Sequence, residues 1–335
     1  MTVTIKDIAR LIGVSHTTVS RALNDSPLIN YETKERIKAL AQEHGYTPNF
    51  NAKSLVLDRS YNIGLFFSTL NQGTSAVFFH ETVRGVNSMI KDRYKLIVRG
   101  IDDYPNYNGI TRKNYDGILV MSQSEADNAF IQHLLERDIP HVVLNRQVQG
   151  LKSCNIVSDD RQGVFQVMEH LITSGHQDIA IIEGRKGFQS SKVRKEGYLQ
   201  ALASHQITSR PELQVHGSYD VESGYQAMNT LLKLDNLPTA VFCSNDDMAV
   251  GAMKAIGEKG LHVPDDISVV GFDDHAFSGY LSPSLTTVKR PIEQISKLGV
   301  AKLIEQIETK QNGAETVYIH TELLLRESTR KMTTG

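Results

Sequence analysis

The sequence predicts a small all-α head followed by an α/β body built from two doubly wound parallel-sheet lobes. Two observations carry that reading. Short amphipathic helices joined by a glycine turn fill the chain up to Tyr46, and from Tyr61 onward continuous apolar strands alternate with amphipathic helices in two successive series. Strands that are apolar throughout and set between helices belong to parallel sheets covered on both faces. A chain of 335 residues has room for two or three domains with ample core.

In the head, Ile5, Ile8, Ala9 and Ile12 fall at i, i+3, i+4 and i+7, the apolar face of a first helix. Gly13 supplies the left-handed backbone that ends it and turns the chain. Ser15 is a good N-cap for a second helix, on which Val19 and Leu23 point inward. His16, Thr17, Ser20 and Arg21 then share its outer face. This is a helix-turn-helix, an arrangement whose second helix offers its first side chains to base edges. A third helix is expected from Glu32 to His44, with Ile37, Leu40 and Ala41 inward and Gly45 as its stop. After Pro48, Asn49 can cap a short helix to about Leu57, with Ala52, Leu55 and Val56 on one side. So few residues make no stable helix alone in water, so its formation would depend on a partner.

In the body, strands are expected at Asn62 to Phe67, Lys95 to Val98, Gly117 to Met121 and His141 to Leu144. The second series offers Ile179 to Ile182, Leu213 to His216, Ala240 to Cys243 and Ile267 to Phe272. Helices between them are expected near Phe79–Lys91, Glu125–Arg137, Gly163–Ser174, Ser191–Ala203, Glu222–Leu234 and Met248–Lys259. The connection Ile101 to Tyr115 carries Asp102-Asp103, Pro105 and Asn108-Gly109, which favour loop and leave space for a short helix only. Ligands of such sheets sit beyond the carboxyl ends of the strands, where strand order reverses.

Composition narrows the function classes. Net charge is −2, divided as +2 over residues 1–60 and −4 over the remainder, a weak asymmetry of the sign that suits DNA. No apolar run approaches the ~18 residues of a membrane span, and the polar N-terminus lacks a signal region, so a cytoplasmic protein is expected. Cys154 and Cys243 lie far apart in apolar segments and read as reduced, buried small hydrophobes. Phosphate-binding Gly-Lys-Ser/Thr loops, His-Glu-x-x-His and nucleophile elbows are missing from the sequence, and the 12 histidines show no metal-ligand spacing. The reading is therefore a non-enzyme with no cofactor and no metal.

Ile5-Lys6-Asp7-Ile8-Ala9, Gly13-Val14-Ser15, Thr18-Val19-Ser20-Arg21, Asn24, Gly45-Tyr46, Pro48-Asn49, Ala52 and Leu55 resemble the LacI–GalR family of bacterial transcription regulators. Later segments extend the likeness: Gly175-His176 with Ile179 to Gly184, Ser244 to Ala249, Ile267 to Asp274 and Leu285 to Val288. The resemblance implies a sugar-sensing body of periplasmic-binding-protein-like type. It divides the chain into a DNA-binding domain (1–47), a hinge helix and linker (48–60), a first lobe (61–158 with 290–320) and a second lobe (159–289 with 321–335). The chain would then cross between lobes near Ser158, Lys289 and Thr321.

On the DNA face, Arg21 has the donor fork for guanine, Thr17 and His16 are positioned for groove edges, with a solvated helix start as the alternative duty of His16, and Ser15 caps the reading helix. Thr4, Ser20, Asn24, Asn30 and Thr33 look like phosphate anchors, with helix capping as the alternative duty of Asn30 and Thr33. By resemblance Asn49 and Ala52 belong to the hinge helix, and Leu55 wedges into the minor groove. The effector residues carried over are Ser68, Phe79 and Asn145 in the first lobe, and Ser190, Arg194, Tyr219, Asn245 and Asp273 in the second. Asn145 departs from the family, which often has an acidic residue there. Together these imply a homodimeric repressor of a carbohydrate-utilisation operon, released from operator DNA by a small sugar. A purine-like corepressor acting on the same fold, or a solute receptor without DNA binding, stays open at this point.

Overall fold

The computed structural model describes residues 3–23, 26–46, 59–71, 74–91 and 93–332. They fall into two compact units, Met1–Ser60 and Tyr61–Gly335.

In the first unit, helices α1 (Ile5–Ile12), α2 (His16–Leu23) and α3 (Tyr31–Glu43) enclose Ile8, Ala9, Val19, Ala22 and Ile37. Ala22, at i+3 from Val19, is fully buried, whereas the expected Leu23 is half-buried at the edge. Thr4 starts α1 by donating its backbone N–H (3.0 Å) and its hydroxyl (2.6 Å) to the Asp7 carboxylate. Those hydrogen bonds hold the Asp7 carboxyl below its ordinary range. Gly13, at φ 75°, ends the helix where a side chain would be strained.

The second unit holds two parallel sheets. The larger takes β1 (Asn62–Phe67), β2 (Lys95–Gly100), β3 (Gly117–Met121), β4 (His141–Leu144), β5 (Cys154–Ser158) and β11 (Thr316–Ile319), in the order β11-β5-β4-β3-β1-β2. The smaller takes β6 (Ile179–Glu183), β7 (Gln214–His216), β8 (Ala240–Cys243) and β9 (Ser268–Val270), in the order β7-β6-β8-β9. Strand order therefore reverses at β1/β3 in one sheet and at β6/β8 in the other, the switch points where such folds place ligands. Each sheet has an apolar cluster on both faces, with Leu65, Leu119 and Leu144 opposite Phe66, Ile118 and Val120 in the larger. In the smaller, Ile182, Val241 and Val269 lie opposite Ile181, Phe242 and Val270.

Helices α4 (Ala76–Ile90) and α5 (Asn128–Glu136) cover the larger sheet, with α6 (Asp160–Thr173), α7 (Gln189–Ser204), α8 (Val221–Leu231) and α9 (Asp246–Glu258) on the smaller. The alternation read from sequence stops short of α10 (Ile292–Thr309), which packs Ile295, Val300 and Leu303 onto the larger sheet. It also omits β5 and β11 of the larger sheet, and β10 (Thr287–Lys289) with β12 (Glu322–Leu324), a short antiparallel pair. The short helix allowed between β2 and β3 is not formed: the segment runs as turns, and Ile101, Ile110 and Tyr115 cover the sheet instead. Cys154 and Cys243 are both free and buried, and burial pushes the Cys154 thiol up to about 11. No helix among the described residues is long and apolar enough to cross a membrane.

Candidate functional site

On the head, the Ser15 hydroxyl accepts the Thr18 N–H at 3.1 Å and so fixes the start of α2. His16, Thr17 and Arg21 are exposed on the helix face opposite Val19 and Ala22, and Ser20 is half-buried beside them. An exposed guanidinium and hydroxyl on the first turns of a helix form a surface that a groove can read. Asn30 caps α3 by accepting the Thr33 N–H at 2.8 Å, so the capping alternative is realised for this pair. Thr4 likewise holds the start of α1. Asn24, Asn49, Ala52 and Leu55 lie outside the described residues.

In the body, one cavity between the sheets is lined by Asn145, Ser190, Arg194, Tyr219, Asn245 and Asp273, all expected from sequence. Ser75, Phe78, Gln123, Phe188 and Arg290 complete it. The reason for this convergence is topological. Gln123 and Asn145 follow the carboxyl ends of β3 and β4, while Tyr219, Asn245 and Asp273 follow those of β7, β8 and β9. Ser190 and Arg194 reach in from the first turns of α7. Asn245 also caps α9, accepting the Met248 N–H at 3.0 Å and donating its amide to the Tyr219 carbonyl at 3.1 Å. Tyr219 lies against Gly184, where a Cβ would come within 2.0 Å of its ring, so only glycine fits there. Asn145, Tyr219 and Asp273 have positive φ (77°, 68° and 112°), backbone strain held in place by this packing.

Two sequence expectations are placed differently. Phe79 packs its ring on Phe67 (centroids 5.3 Å apart) and Phe78 lines the cavity instead. One residue along a helix turns the side chain by about 100°, so a neighbour takes a different face. Ser68 lies behind the wall, donating to the Asp127 carboxylate at 2.6 Å and accepting the Gln123 N–H at 2.7 Å.

The charge pattern links the two walls. Arg194 is 1% exposed and pairs with Asp160 (2.8 Å) and Asp273 (3.4 Å), donates to the Ser244 carbonyl, and stacks 3.8 Å from the Phe272 ring centroid. Arg290 donates to Ser158 at 2.8 Å and to the Asn145 side-chain oxygen, and lies 3.4 Å from Asp160. Burial alone would raise the Asp160 carboxyl, but the two guanidiniums and the Ser158 hydroxyl hold it below its ordinary value. Neither Asp160 nor Arg290 was legible as a site residue, since each sits at an ordinary helix start or strand end. A backbone hydrogen bond also crosses between the lobes, Gln189 N–H to Gln123 O at 2.8 Å. The walls stand so close that the free volume between them is ≈ 30 Å³, room for about one water.

A model of bacterial regulatory proteins of the lacI family matches residues 4–49, and a periplasmic binding protein-like domain matches residues 168–329. The chain is 57% identical over 332 residues to a probable HTH-type transcriptional repressor, ExuR, of Bacillus subtilis (strain 168), covering 99% of this chain and 100% of that one. The chain belongs to the LacI family. The fold agrees: the lac repressor dimer bound to operator and the anti-inducer ONPF superposes with TM-score 0.81 and 27% identity, covering 98% of this chain and 100% of that one. The transcriptional regulator CelR in complex with cellobiose gives TM-score 0.74 and 27% identity, covering 97% of this chain and 99% of that one. This LacI-family member is thus a DNA-binding transcriptional repressor, with a helical head and two parallel-sheet lobes.

Proposed function

We propose that the protein acts as a homodimer that represses a carbohydrate-utilisation operon and leaves its operator when a small sugar enters the interlobe cavity. One observation carries the reading: polar side chains from the strand ends of both sheets, amides from the larger and Tyr219, Asn245 and Asp273 from the smaller, converge with Arg194 and Arg290 on one cavity, in a chain whose head exposes the second helix of a helix-turn-helix. Arg194 offers a donor fork to vicinal hydroxyls, Asp273 and Asn245 accept from them, and Tyr219 and Phe78 supply ring faces. The sugar bound by the CelR relative supports the ligand class.

The lobes are assigned as 61–158 with 290–320 and 159–289 with 321–335, with 1–47 as the head and 48–60 as the link. Sheet membership supports the division, since β5 ends at Ser158 and β11 returns to the larger sheet at Thr316. A small-molecule pocket spans several hundred Å³. A sugar therefore enters only if the walls part, which separates Arg290 from Asp160 on the facing wall. The sugar then binds a second arrangement of the lobes better than this one, and that differential affinity shifts the population away from DNA. The same reading makes the protein a cytoplasmic regulator without catalytic turnover.

Fluorescence anisotropy on a promoter duplex, titrated with sugars, tests this. Release on addition supports induction. Tightening by a purine reverses the logic to corepression, and indifference to promoter sequence sinks the reading altogether.

A further inference from the structure

We propose that Gln123 is a specificity-determining contact of the cavity, its side-chain carbonyl taking a hydroxyl donor from the bound sugar. This rests on the cavity being the sugar site. Among the described residues, the Gln123 Oε1, the Ser244 Oγ and the His275 Nδ1 are buried without a hydrogen-bond partner. Of the three residues, Gln123 alone lines the cavity. It is 5% exposed, and its Nε2 stands 3.5 Å from the Thr74 hydroxyl, at the limit of a hydrogen bond. Turning the amide over exchanges an orphan acceptor for an orphan donor, so one end of it lacks a partner in either orientation.

In this closed arrangement the other polar groups of the walls named above each have a protein partner, which a sugar would share or displace. Arg194 and Asp273 face each other, Asn245 caps α9, and the Ser190 and Tyr219 hydroxyls pair at 2.8 Å. Gln123 is the wall residue whose bond is completed from inside the cavity, and ≈ 30 Å³ of free volume accommodates one water or one hydroxyl group.

The residue is also held rigidly. Its N–H donates to Ser68 Oγ (2.7 Å) and to the Asp127 carboxylate (3.2 Å), and its C=O accepts the Gln189 N–H (2.8 Å) from the facing lobe. Ser68 in turn donates to Asp127 at 2.6 Å. Ser68 and Asp127 are accordingly positioning residues for Gln123, which gives the serine a role behind the wall. A fixed acceptor in a buried site discriminates strongly against a ligand that lacks the matching hydroxyl, because the acceptor is then left unpaired.

The test uses the full-length protein and a panel of glucose, galactose, glucuronate, galacturonate, ribose, cellobiose and hypoxanthine. Calorimetry selects the sugar that binds wild type most tightly, and its monodeoxy analogues follow. Wild type is expected to lose about tenfold or more on one deoxy position. Gln123→Met should lose a similar factor on the parent sugar and nothing further on that deoxy analogue. Gln123→Glu, which keeps an acceptor, should retain that discrimination, and Gln123→Leu, which lacks one, carries the same test if the methionine variant folds poorly. Parent-sugar binding by Gln123→Met within about twofold of wild type, or deoxy discrimination that persists in it, overturns the assignment and leaves the sugar site intact. If no sugar binds wild type, or only hypoxanthine does, the cavity reading fails and takes the Gln123 contact with it.

Discussion

The head and the cleft both present polar side chains for recognition, yet the two are built on opposite terms. His16, Thr17 and Arg21 stand in solvent on α2, outside the apolar core that holds the head together. Arg194 and Asp160 are buried, Asp273 is half-buried beside them, and the arginine pairs with both carboxylates. A solvated reader can be changed without disturbing the fold. A buried, mutually paired cluster ties recognition to stability, because removing one member strands the rest.

The largest expected effect comes from Arg194→Ala. It leaves Asp160 with the Ser158 hydroxyl and, as its one cation, the longer contact to Arg290, and should cost about 3–5 kcal/mol in urea unfolding of the sugar-free protein. A loss below about 1 kcal/mol would break the contrast with the head.

Next is Asp246, which accepts from Thr287 Oγ1 (2.6 Å), Ser278 Oγ (2.7 Å) and the His275 N–H (2.7 Å). Burial nonetheless pushes its carboxyl up to about 7. Its folded value exceeds its unfolded one, so its stabilising contribution is full below about pH 4 and is lost as pH rises to about 7. The stability of wild type relative to Asp246→Asn should fall by a few kcal/mol over that window, then level off. A flat difference curve would place the ionised carboxylate inside the protein at no cost.

In the head, Arg21→Ala should weaken operator binding by about 1–3 kcal/mol, relax preference at one base position and leave the melting curve unmoved. Equal loss on every duplex would make it a phosphate contact. The smallest effect is expected of Asn30→Ala, about 1 kcal/mol of head stability from the lost cap. Thermal unfolding followed by circular dichroism reads it, and an unchanged midpoint would show the cap to be dispensable.

The cleft walls show how far sequence reaches. On the second-lobe wall, Ser190, Arg194, Tyr219, Asn245 and Asp273 are all found at the cavity. Asn245 and Asp273 sit directly after strand ends, where position along the chain nearly fixes direction. On the first-lobe wall Asn145 is found there, but Phe79 gives way to Phe78 and Ser68 to Gln123 behind which it stands. Adjacent aromatics on a helix, or a serine and the glutamine it holds, differ by a rotation or a layer that residue type does not encode. Arg290 and Asp160 escaped notice because their importance lies in each other, across 130 positions of chain.

The sequence by itself determined the three-helix head, the exposed face of its second helix, the alternation of strand and helix, and most of the strand ends that meet at the cavity. These follow from periodicity and turn chemistry, which act over a few residues. Only the tertiary structure decided which side chains meet across the cavity, how Asp160 is shared between two arginines, and that one carbonyl of Gln123 is left without a donor. Those facts depend on how the strand ends of two separate sheets meet, and no local pattern records the distance between two strand ends.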